Sequence, residues 1–245
     1  MKRFLKPSFL PLITLICGVL TCLMRLWLFT IGKDDWGLLP VGIFPDVMCW
    51  ILVAVTMAVL ALGVQPLRGT TKYIQNFPAS LPAAIGTVLA ALGFCISSLV
   101  DLSASSEITN VCGAIMGFLA AGSLLALAYG RYKGLHPNML FHGIVCVYLM
   151  IYLVSHYRLW SSCPQVQSYG FELLSIVFVM VACYQRLAFD AGKGNRRAYT
   201  FFSLATLFFC IATLPSCDNP AFFIGSAAWM YFTPCRLRIS VPKED

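Results

Sequence analysis

The chain is predicted to be all-α, a polytopic transmembrane bundle of eight spans built as two parallel four-helix repeats. Three observations lead there. First, 59% of the 245 residues are hydrophobic and only 11% charged, with a mean hydropathy of +0.81. A water-soluble chain is about 45–50% apolar and roughly 25% charged. Too few polar side chains remain to cover a wet surface, which excludes a soluble enzyme, a disordered chain and a secreted disulfide scaffold. Second, eight apolar runs of near-membrane length can be marked. Third, the basic residues fall between alternate runs.

The runs cover residues 9–30, 41–62, 81–100, 111–129, 139–157, 171–187, 199–214 and 221–236. Each is near the roughly 20 residues a helix needs to cross hydrocarbon. The last two are short and bracketed by Pro215, Pro220 and Pro234. Unbroken apolar runs lack the alternation of a β-barrel, so helices are the remaining way to satisfy the backbone in lipid. Lys2, Arg3 and Lys6 before the first run resemble a signal peptide. The run has no small-residue cleavage site after it, so it reads as a retained span.

Of the 17 Lys and Arg residues, 14 belong to one set of connections, leaving Arg25, Lys33 and Arg158 on the other side. By the positive-inside rule both termini are expected in the cytoplasm. Asp34, Asp35, Asp46, Asp101, Glu107, Glu172 and Asp218 fall on or near the outer side. Net charge is +7, but the cations alternate with apolar runs and form no single patch, which argues against a nucleic-acid partner. The expected partners are the bilayer and a small-molecule ligand. No cofactor is implied, and nothing sets the oligomeric state. Most of the 11 cysteines, including Cys17, Cys49, Cys95, Cys146, Cys183 and Cys210, lie in apolar runs, where thiols pack as small hydrophobes.

Two pairs of similar words suggest a duplication. Residues 89–99 (LAALGFCISSL) and 204–214 (LATLFFCIATL) agree at seven of 11 positions, and Arg25-Leu26-Trp27 reappears as Arg158-Leu159-Trp160. An even number of spans per half gives a parallel repeat, with halves 1–134 and 135–245.

The candidate functional residues form an outer-side polar cluster of Arg25, Asp46, Asp101, His156, Arg158 and Glu172. A guanidinium in hydrocarbon costs about 2.5–3.5 kcal/mol at mid-depth. Arg25 and Arg158 are therefore expected to find Asp46 and Glu172, each opening the next helix. Two readings are open: a structural clamp at each outer corner, or an outward-facing polar pocket shared with Asp101 and His156. Trp27, Trp36 and Trp160 fit an interfacial aromatic belt, or a pocket wall. Gly113, Gly117 and Ala121, four residues apart, make a helix-packing face, within the chain or between copies.

His142 and Cys146 share a helix face, but two ligands are not a metal site and no third is evident, so no metal is expected. Cys163 and Cys217 both fall in outer loops and would pair only in an oxidising compartment. Lys193, Arg196 and Arg197 lie in the most polar inner loop. Gly192-Lys193-Gly194 lacks the Ser or Thr of a phosphate loop, so contact with anionic lipid headgroups explains these cations better. There is no HExxH, GxSxG or CxxC.

The stretches RLWLFTIGKDDWGLLP (25–40), YRLWSSCPQVQSYGFELL (157–174) and LAFDAGKGNRRAYTFFSL (187–204) resemble an uncharacterised family of multi-pass bacterial membrane proteins. The resemblance implies a bacterial inner-membrane setting and nothing about mechanism. The functional expectation is a small-molecule carrier or binding protein. Its rivals are a non-transporting subunit or sensor acting through helix contacts and, behind both, a lipid-modifying enzyme using Asp101, His156 and Glu172 as acid–base groups.

Overall fold

A computed structural model describes residues 9–31, 38–67, 73–104, 108–160 and 165–235. Among them every regular element is helical: α1 (Leu10–Thr30), α2 (Phe44–Val64), a single turn α3 (Tyr73–Asn76), α4 (Leu81–Ala104), α5 (Ile108–Lys133), α6 (Met139–Trp160), α7 (Val166–Asp190), α8 (Arg196–Thr213) and α9 (Pro220–Cys235). Local chemistry sets several ends. Proline occupies the first turn of α1 and α2, where a missing N–H costs no hydrogen bond. Asn195 caps α8, its Oδ1 accepting from the N–H groups of Arg197 and Ala198. Gly192, at φ +72°, stops α7 with Lys193 N–H donating to the Ala188 carbonyl and Gly192 N–H to that of Phe189, a left-handed closure that favours glycine.

The long helices alternate in direction. At one end the Gln165 side-chain amide exchanges two hydrogen bonds with the Leu39 backbone, and Arg25 reaches Ser216. At the other end Ser80 N–H donates to the Arg131 carbonyl and Arg197 Nε to that of Leu67. Asp46, Asp101, Glu172 and Asp218 lie toward the first, hereafter the acid end. Arg131, Lys133, Arg186, Lys193, Arg196 and Arg197 lie toward the second, the basic end.

Among the described residues six helices are long and apolar enough to cross a membrane: α1, α2, α4, α5, α6 and α7. Their outward faces carry half-exposed Leu12, Ile16, Leu23, Trp50, Val55, Leu92, Leu119 and Val154. Continuous apolar cover of this extent suits lipid and not water. Helix α8 is shorter and opens with two arginines, yet it is buried nearly all round. Its Thr200 and Thr206 hydroxyls donate to carbonyls one turn back, so polar side chains are carried without exposed donors.

The neighbour order explains that burial. Helices α4, α5, α6, α7, α8 and α9 each pack on the next, and α9 returns to α4, closing a ring of six. Helices α1 and α2 lie outside it, against α8. The ring closes where backbones approach: a Cβ on Gly93 would sit 2.5 Å from the Ala221 carbonyl oxygen, and one on Gly225 2.8 Å from that of Leu89. This six-plus-two order departs from the expected four-plus-four symmetry. Helix α4 packs on α9, but the symmetric counterpart, α8 on α5, is not among the main contacts; α8 meets α7, α9, α1 and α2.

Gly117 and Ala121 are buried, and a Cβ on Gly117 would strike the Ser98 hydroxyl and Tyr148. These two residues therefore serve close packing of α5 within the bundle. Gly113, at the margin, has open space around it.

Candidate functional site

Arg25 enters the interior because α1 buries a stripe at helical spacing, Thr14, Gly18, Thr21, Arg25 and Leu28. Its Nη2 donates to Ser216 Oγ at 2.7 Å, and Ser216 in turn donates to the Thr213 carbonyl. The guanidinium carbon stands 4.1 Å from the centre of the Phe171 ring, within cation–π range. Glu172, next in the chain, is close enough for its charge to be felt at Arg25.

Asp46 does something else. Its Oδ2 accepts the Gly42 N–H at 2.9 Å, at a helix entry where unpaired N–H groups and the dipole favour a carboxylate. Among the described residues no ion pair joins Arg25 to Asp46, or Arg158 to Glu172. Arg158 is exposed. In place of the Arg25–Asp46 pair expected from sequence, one buried arginine is held between α7 and the α8–α9 connection.

Asp101 and His156 lie at the same end, each within range of the other's charge. His156 Nδ1 donates to the Tyr152 carbonyl at 3.0 Å, and its ring lies 4.0 Å from that of Tyr152. Asp218, between α8 and α9, links the two groups, since its charge reaches both Glu172 and His156. The acid end therefore gathers Arg25, Glu172, Asp218, His156 and Asp101. Trp160 is 7% exposed and stacks on Tyr169, so it is a wall of this cluster. Trp27 is about half exposed, with its ring against that of Phe44. Trp36 lies outside the described residues.

From His156 the buried face of α6 runs inward through Tyr152, Leu149, Tyr148, Val145 and His142. Phe222 stacks on both Tyr152 and Phe94, and Phe94 also meets Tyr148, filling the ring's centre with aromatic surface. The hydroxyls of Tyr148 and Tyr152 and the Ser97 Oγ are buried there; Ser97 lies within reach of both tyrosines, but none of the three oxygens makes a well-formed hydrogen bond. The sequence signal for this row was present but unused: Tyr148, Tyr152 and His156 recur every four residues on one face of an apolar helix.

His142 ends the row, its Nδ1 2.5 Å from Asp190 Oδ2, both groups buried. Cys146, one turn along, approaches Cys183. No group of three or more metal-ligating side chains occurs among the described residues. Cys217 is a free thiol, and burial, with Glu172 beside it, pushes it up to about 12. Its suggested partner Cys163 lies outside the described residues.

Of the three headgroup candidates, Lys193 and Arg197 are exposed, while Arg196 is 4% exposed and turned inward. Gly194 is glycine because a side chain there would run into the Phe189 ring. The Gly-Lys-Gly sequence is thus a helix stop and a close approach. No protein-family model, curated protein or solved structure matches this chain.

Proposed function

We propose that the chain is an integral membrane protein that takes a small molecule into its six-helix ring, as a carrier or binding protein. The observation that supports this reading is the row of buried hydroxyls of Tyr148, Tyr152 and Ser97 at the ring's centre, neighbours with no well-formed hydrogen bond. Polar groups inside a membrane protein commonly mark a pathway. Acidic groups at one end of the row and arginines at the other frame a route with a distinct chemistry at each mouth.

In this reading all eight long helices cross the bilayer, in a bacterial inner membrane. The basic end and both termini face the cytoplasm, as the placement of the cations favours. The words shared by 89–99 and 204–214 are the trace of a duplication whose packing symmetry has been lost. The helix-contact alternative is disfavoured by Gly117 and Ala121, whose face is already used inside the bundle.

Hydroxyl-radical footprinting of the unaltered protein in nanodiscs tests the reading. Radicals formed from bound water modify side chains next to that water. Tyr148 and Tyr152 should be oxidised at least tenfold faster than Phe94 and Phe222, their ring neighbours. Equal, background rates at all four would mean a dry interior and leave the non-transporting subunit as the better reading.

A further inference from the structure

The basic end holds buried charge that the row of hydroxyls does not use. Arg131, on the last turn of α5, is 2% exposed, and its Nε, Nη1 and Nη2 have no hydrogen-bond partner. Arg186, on α7, is 3% exposed; it donates to the hydroxyls of Tyr199 and Tyr73 at 3.3 and 3.2 Å, while its Nε has no partner. The two guanidinium carbons stand 5.2 and 4.6 Å from the centre of one ring, Phe77. Tyr73, Phe77, Phe189 and Tyr199 form a separate buried aromatic cluster around them.

The charges do not balance. Among the described residues the carboxylate near this pair is Asp190, whose Oδ2 meets His142 Nδ1 and whose Oδ1 has no hydrogen-bond partner. Two guanidiniums face this one carboxylate, leaving about one positive charge in a site walled by aromatic rings. Such an excess calls for an anion. A guanidinium offers a planar fork of donors that matches the oxygens of a phosphate. An anion seated against Arg131 would satisfy donors that otherwise remain unpaired.

We infer that Arg131 and Arg186, braced by Phe77 and Tyr73, bind a phosphate group at the basic end of the bundle. That group is either a free phosphate anion or the headgroup of an anionic phospholipid. The site lies at the opposite end from the acid cluster and does not depend on anything crossing the ring.

The test uses the full chain, purified and delipidated in a neutral detergent, with thermal unfolding followed by tryptophan fluorescence. Three probes are compared at matched ionic strength against sodium chloride: sodium phosphate, dihexanoyl phosphatidylglycerol, and dihexanoylglycerol as the phosphate-free lipid. Phosphatidylglycerol should raise the unfolding midpoint and dihexanoylglycerol should not. A matching rise with sodium phosphate assigns the site to a free anion; a rise with phosphatidylglycerol alone assigns it to a headgroup. Arg131→Gln should weaken the effective probe at least tenfold. A wild-type protein that responds to neither phosphate-bearing probe overturns the inference, as does a folded Arg131→Gln that responds like wild type. Should Arg131→Gln not fold, Arg131→Lys takes its place. Its ammonium cannot present a fork, so affinity should fall at least threefold, and unchanged affinity overturns the inference.

Discussion

Arg25-Leu26-Trp27 and Arg158-Leu159-Trp160 are the same three residues near the acid-end termini of two helices, and they face opposite ways. In the first, Arg25 is buried and Trp27 is about half exposed; in the second, Arg158 is exposed and Trp160 is buried. Residues two apart on an α-helix point about 200° apart, so one of the pair faces inward and the other outward. Which one is decided by neighbours. Helix α1 lies outside the ring, against α8, and sends its arginine toward Ser216 and Phe171. Helix α6 is a member of the ring and sends its tryptophan onto Tyr169. The longer matched words diverge similarly. Leu89, Leu92, Ile96 and Leu99 of α4 are 41–53% exposed, whereas of their counterparts Leu204 and Leu207 are buried and Ile211 and Leu214 partly buried.

The largest expected effect comes from exchanging residues between those two words. Gly93→Phe puts the α8 residue into α4 and forces a ring against the Ala221 carbonyl. It should abolish the folded species, as a size-exclusion profile in detergent would show; normal folding would mean that α4 and α9 do not approach as described. Next is the tryptophan pair. Trp160→Ala should cost about 3–5 kcal/mol and Trp27→Ala no more than about 0.5, measured by reversible unfolding in SDS. Equal losses would erase the contrast between the two tripeptides.

The arginine pair should show a smaller difference. Arg25→Leu is expected to cost about 1.5–3 kcal/mol, the range of a hydrogen bond to a charged group, and Arg158→Leu within about 0.5. Adding Asp46→Leu to Arg25→Leu should give no recovery of stability, because Asp46 serves the Gly42 N–H. Recovery would restore the clamp. The mildest effect is on rate alone. With its thiol raised to about 12 by burial, Cys217 stays protonated at pH 8, and only the thiolate is alkylated. Peptide mapping after iodoacetamide should find it labelled far more slowly than exposed Cys112, and faster only as pH rises toward 12.

Much of the candidate site was readable in the chain as a set of scarce charges, but not as pairs. Arg25 and Glu172 stood out because hydrocarbon does not solvate them, and the structure brings them near each other. Asp218 looked like one more outer acid; its place between Glu172 and His156 depends on how the α8–α9 connection folds over the ring. Arg131 and Arg186 read as ordinary positive-inside charges at the ends of apolar runs. Their burial rests on α3, a turn of four residues with no hydrophobic period to announce it, which brings Tyr73 to Arg186 and carries Phe77 in behind it.

The amino-acid sequence by itself determined the helices and their alternation, since both follow from solvation: apolar length satisfies lipid, and cations collect at alternate ends. It also determined where helices begin and stop, through Asn195, Gly192 and the early prolines, because those are bonds within a few residues. Only the tertiary structure decided which helices close the ring, which face of each looks inward, and which arginine is buried. Lipid is as apolar as the core, so hydrophobicity does not distinguish a side chain that faces a neighbour from one that faces the membrane. Close packing at Gly93 and Gly225 and the few available polar partners make that choice.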